Sequence, residues 1–120
     1  MALDAKLDDT GILVLTPDGP LTAADFIAVA ALADPWIETH GKLTGVLIDM
    51  HTFPGWEDFA ALSSHLKFVR EHHTEVRRIA ALTDSKLLSL APALARHFVA
   101  AEIKVFPSTQ RDEALGWLGS

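Results

Sequence analysis

The sequence predicts an α/β fold, a mainly parallel four- or five-stranded sheet with an antiparallel N-terminal hairpin edge and about four flanking helices. Three observations predict it. Short, nearly continuous apolar runs, such as residues 43–50, read as strands covered on both faces. Longer segments between them repeat apolar residues at helical spacing, as Phe26, Ala30, Ala33 and Ile37 do. The two kinds alternate in the order β-β-α-β-α-β-α-β-α, which implies parallel crossovers with helices on both faces.

The elements follow in turn. Residues 2–8 alternate weakly between polar and apolar, an edge-strand pattern, and Asp9-Thr10-Gly11 is turn chemistry. Residues 12–16 form the second arm of the hairpin. Pro17-Asp18-Gly19-Pro20 breaks the chain. Thr22 and Asp25 then have the spacing of a capping box. The first helix starts there. Asp34-Pro35 is expected to interrupt it, with Pro35 opening a second short turn capped by Asp34, and His40-Gly41 to end it. After the strand at residues 43–50, a helix is expected from about Trp56 to His72, with Phe59, Leu62, Leu66 and Val69 as its buried stripe. Residues 76–82 form a strand, and 86–101 a helix bent or split by Pro92. Residues 102–106 form the last strand. Pro107-Ser108-Thr109 opens a C-terminal helix with apolar Ala114, Leu115, Trp117 and Leu118.

Length and composition narrow the function classes. At 120 residues the chain is read as one domain, residues 1–120, with 49% apolar and 22% charged residues. That size carries a core without disulfides or metals. Cysteine is absent, which removes disulfides, thiolate catalysis and cysteine-ligated zinc, and suits a reducing cytosol. The net charge of −6 disfavours nucleic acid, whose phosphates demand a cationic face. No apolar run is long enough to span a bilayer, and residues 1–6 lack the order of a signal peptide. The expectation is a cytoplasmic protein without stable membrane insertion.

The most informative stretch runs from residue 45 to 59. A buried strand delivers Asp49 to its carboxyl end, where ligands of open α/β sheets usually sit. The bulky loop beyond it carries His51, Phe53, Pro54, Gly55 and Trp56. A helix follows, with Glu57 and Asp58 in its first turn, where the helix dipole favours negative charge. Asp49 is a ligand-binding acid or a general base with His51, but an acid that accepts loop N–H bonds is the simpler reading. Trp56 either lines a pocket or wedges the loop onto the helix as core. The second informative segment, around Leu87, Leu90 and Leu94, spreads its apolar residues over more than one helix face. Its cover is the neighbouring helix, a second copy of the chain or an apolar ligand. His65 and His72 are ~10.5 Å apart along one helix axis, too far to share an ion. The histidines are therefore expected on a solvated flank, with no metal and no cofactor. Glycine-rich phosphate loops and nucleophile elbows are also missing.

The strand at 45–50, Phe53-Pro54-Gly55-Trp56-Glu57-Asp58, Arg78-Ile79-Ala80-Ala81-Leu82, and the ending Glu102-Ile103-Lys104-Val105-Phe106 with Ala114-Leu115-Gly116-Trp117-Leu118 together resemble the SpoIIAA-like branch of the STAS superfamily. The resemblance spans essentially the whole chain. It implies a small bacterial domain. STAS anti-sigma factor antagonists are switched by phosphorylation of a serine in an Asp-Ser-x-Gly turn at this strand–helix junction. Here that turn holds no serine, and Thr52 precedes it; Glu57 and Asp58 already supply fixed negative charge. The fold is also similar to that of CRAL-TRIO lipid-binding domains. The resulting expectation is a non-enzymatic module for protein–protein or small-ligand recognition, possible also as a homodimer. Its site residues are Asp49, His51, Phe53, Trp56, Glu57, Leu87, Leu90 and Leu94. The alternatives are a carrier with an apolar, lipid-sized pocket beneath the 86–98 helix and, more weakly, an enzyme using Asp49 and His51.

Overall fold

The computed structural model describes residues 3–49, 58–83 and 102–120. Its strands are β1 (Leu3–Leu7), β2 (Ile12–Pro17), β3 (Gly45–Asp49), β4 (Arg78–Thr83) and β5 (Glu102–Pro107), side by side in that order in one sheet. β1 runs antiparallel to β2, and every other neighbouring pair is parallel. The helices among the described residues are α1 (Ala23–His40), α2 (Phe59–His72) and α3 (Arg111–Gly119), and a 3-10 turn at His73–Glu75 continues α2. The sheet is the one expected. The helix expected over residues 86–101 lies outside the described residues.

The hairpin forms because its turn satisfies its own backbone. The Asp8 carboxylate accepts from the Thr10 hydroxyl at 2.6 Å, from the Thr10 N–H at 2.8 Å and from the Ile12 N–H at 3.0 Å. Gly11 completes the turn at φ 89°, a conformation that costs a residue with Cβ. The space is also closed: a Cβ there would lie 2.8 Å from both the Trp36 ring and the Thr44 hydroxyl.

α1 begins with the predicted capping box. Asp25 N–H donates to the Thr22 hydroxyl at 3.2 Å, and the Asp25 carboxylate accepts from Thr22 N–H at 2.8 Å. Gly41 ends the helix at φ 89°, its N–H donating to Ile37. The expected break at Asp34-Pro35 does not occur; α1 runs through Pro35. A proline forfeits the N–H that would bond four residues back. Here the orphaned carbonyl belongs to Ala31, and both Ala31 and Pro35 are exposed, so water can hydrate it. On the opposite side, buried Ala33 and half-buried Trp36 and Ile37 pack onto the core and hold the helix together.

α2 starts at Phe59, later than expected, and Asp58 caps it by accepting from the Ala61 N–H at 2.9 Å. The side chains of Phe59, Leu62, Leu66 and Val69, the expected stripe, lie outside the described set. Fully buried Ala61 and half-buried Phe68 face inward, Phe68 with its ring centroid 6.1 Å from that of Phe26 on α1.

The sheet separates two apolar cores. Leu3, Leu13, Val46 and Ile79 meet Phe26, Val29 and Ala33 of α1 on one face. Ile12, Leu47, Ala80, Leu82 and Phe106 meet Ala114 and Leu118 of α3 on the other. This follows from alternation: along β3, Val46 and Leu47 point to opposite faces. Consecutive right-handed crossovers carry α1 and α2 over the same face, and α3 returns over the other. Gly45 lets α3 approach, because a Cβ there would stand 2.8 Å from Leu118 Cδ2 and 3.0 Å from its Cβ.

The last turn of α3 is anchored from β4. Arg77 donates to the carbonyls of Leu118 and Ser120, and Arg78 to those of Trp117 and Ser120. The Arg78 guanidinium also lies 5.0 Å from the centre of the Trp117 ring. α3 has no basic residue in its own last turn. The two arginines supply the donors and positive charge that a helix C-terminus requires.

Candidate functional site

The four parallel strands all end at one edge of the sheet. Asp49 is level there with Leu82, and Leu82 with Phe106. Alternation from Leu47 turns Asp49 toward the α3 face. Arg111, the first residue of α3, meets it there, and its guanidinium donates to the Asp49 carboxylate. Side-chain exposure is 26% for Asp49 and 45% for Arg111. This charge pair is therefore open to solvent and able to exchange partners.

Placing a cation in the first turn of a helix opposes the helix dipole. Asp49 offsets that cost, as do Asp112 and Glu113 in the same turn. Arg111 has five donors in a rigid fork. Once bonded to Asp49, it keeps donors for a carboxylate or carbonyl arriving from outside. Two other helices start at this edge. Thr22 and Asp25 cap α1, and Asp58 caps α2. Asp25 is 1% exposed, and one of its carboxylate oxygens has no hydrogen-bond partner.

Of the residues predicted for the site, the structure describes Asp49. His51, Phe53, Trp56, Glu57, Leu87, Leu90 and Leu94 lie outside the described residues. The loop N–H bonds expected at Asp49 fall on the same undescribed stretch; the partner that is described is Arg111. Sequence reasoning missed Arg111, although a signal was present: it opens the helix after the last parallel strand, and such a position lies at the carboxyl edge.

A second correction concerns His72, expected on a solvated flank. Its side chain is 12% exposed. The ring stacks on Phe68 with centroids 4.2 Å apart and bonds to Asp34 of α1 at 2.9 Å. The approach of α1 to α2 buries it, which helical spacing within α2 cannot show. Among the described residues no helix is long and apolar enough to cross a membrane.

The SpoIIAA-like family model matches residues 12–119. The chain belongs to the SpoIIAA-like family. A search of the curated proteins finds no match. Among solved structures, the chain is similar to an uncharacterized protein with a SpoIIAA-like fold from Shewanella loihica. Identity is 23% and the TM-score 0.75, over 98% of this chain and 92% of the other. At that identity the likeness speaks for the SpoIIAA-like fold alone.

Proposed function

We propose that this SpoIIAA-like domain is a non-enzymatic recognition module of the cytoplasm, and that it engages a protein or small ligand at the carboxyl edge of its sheet. The observation that carries the reading is the half-exposed Asp49–Arg111 pair. It stands where open α/β sheets receive ligands and offers unused donors beside a fixed carboxylate. The flanking segments, residues 50–57 and 84–101, carry the aromatic and leucine residues Phe53, Trp56, Leu87, Leu90 and Leu94. Tryptophan and arginine are enriched among the residues that dominate binding energy at interfaces, and leucines add apolar area around them. Residues 53–57 contain no serine, so the reading does not carry over the phosphorylation switch of anti-sigma factor antagonists.

Capture from a cell extract on the immobilised full chain, beside native mass spectrometry of the purified protein, tests the proposal. The expected result is a partner, a second copy or a bound small molecule whose occupancy falls at least about tenfold on Arg111→Glu, the scale of a lost charged contact at an interface. Occupancy indifferent to Arg111→Glu and Asp49→Lys would overturn the role of this edge. A lipid-sized adduct that survives both substitutions would favour the carrier with a pocket beneath residues 86–98.

A further inference from the structure

We propose that His72 is a protonation-dependent clasp joining the last turn of α2 to α1. Its Nδ1 lies 2.9 Å from the Phe68 carbonyl oxygen and its Nε2 lies 2.9 Å from Asp34 Oδ1. A carbonyl and a carboxylate only accept hydrogen bonds. Neutral imidazole carries one N–H, so it satisfies one of these contacts and sets a lone pair against an acceptor in the other. The imidazolium donates to both. The Phe68 ring, stacked at an interplanar angle of 16°, holds the imidazole in the plane that reaches both acceptors.

The described surroundings are mainly acidic. An open cleft of about 560 Å³ at this junction is lined by Asp34, Ile37 and Glu38 of α1, Glu71 and His72 of α2, and Glu75 of the 3-10 turn. Lys67, one turn before Glu71, lies 4.0 Å from its carboxylate and is the other described cation beside this group. Both ring nitrogens thus face acceptors, and the other ionisable residues lining the cleft are carboxylates. Loss of one proton removes the donor to Asp34 or the donor to Phe68, and with it either the tie between the helices or the orientation that makes the tie. The clasp is complete on the acidic side and weakens on the alkaline side. Histidine in general changes charge between about pH 5 and 8, and that interval sets the two conditions of the test. It is independent of the carboxyl-edge reading, since His72 ends α2 and the cap at Asp58 begins it.

Amide hydrogen exchange of the full chain, corrected for intrinsic rates, tests the clasp at about pH 6 and about pH 8. The last turn of α2 and the Asp34 turn of α1 should open roughly threefold more often at the higher pH, the scale of one partly exposed ion pair. Asp34→Asn, which preserves shape, and His72→Gln should each abolish that difference, while Glu38→Gln should keep it. Long-range nitrogen NMR at the lower pH should show both His72 ring nitrogens protonated. A single protonated nitrogen there, no pH-dependent opening in the parent chain, or opening that persists in Asp34→Asn would each overturn the proposal.

Discussion

The amino edge of the sheet, where Thr44, Arg77 and Glu102 lead into three strands, is laced by the chain's own groups. Thr44 N–H donates to Gly11, Leu43 N–H to Glu75, Arg77 N–H to Leu43 and Glu102 N–H to Arg77. The Thr44 hydroxyl donates to Thr10 at 2.6 Å, and two arginines close the end of α3. At the carboxyl edge, the described link between distant segments is one half-exposed ion pair, Asp49–Arg111. The contrast separates two uses of polar groups. Where donors and acceptors are mutually satisfied, they fix the order and register of the strands. Where a charged pair is left wet, it contributes little to stability and stays available to a partner.

Substitutions can break that contrast, and the largest effect belongs to the packing behind the amino edge. Leu118 is fully buried against the sheet, so Leu118→Ala should cost about 3 kcal/mol, read by urea unfolding. Gly45→Ala forces a methyl group onto Leu118 Cβ and should cost about 1–3 kcal/mol, with Leu118→Ala partly rescuing it in the double variant. A fully additive double variant would show that the two do not touch.

At the carboxyl edge, Asp49→Asn and Arg111→Gln should each change stability by less than about 1 kcal/mol while lowering partner occupancy. A loss comparable to that of Leu118→Ala would make the pair structural and remove the contrast.

The smallest effect sharpens the comparison through pH. Burial raises the Asp8 pKa, but the bonds from the Thr10 hydroxyl and from the Ile12, Thr10 and Gly11 N–H groups outweigh it, leaving it below the ordinary 3.8. A depressed folded value means that the unfolded chain binds the proton more readily. Asp8 therefore stabilises the hairpin above about pH 4, and that contribution is lost as pH falls through its folded value. Asp8→Asn should flatten the acid limb of a stability–pH curve, whereas Asp49→Asn should leave the hairpin's share of it unchanged. An unaltered limb in Asp8→Asn would remove the turn from the account of the amino edge.

What the sequence by itself determined is local or periodic. The Thr22–Asp25 box, the glycine stop at Gly41 and the Asp9-Thr10-Gly11 turn depend on neighbours a few residues away. The alternation of strand and helix restricts the sheet to parallel crossovers. Asp49 could be placed at the carboxyl edge of the sheet because a strand's carboxyl end follows from its direction.

Only the tertiary structure decided the pairings across the chain. Arg111 reaches Asp49 over 62 residues, and His72 reaches Asp34 over 38. Each contact exists because two distant elements meet at a particular depth in the fold, and a one-dimensional pattern does not encode that depth. Pro35 makes the same point in reverse. Its local preference is to break α1, yet the exposed Ala31 carbonyl can turn to water while Ala33 and Ile37 are held by the core. Continuous packing on one face outweighs one missing hydrogen bond on the other.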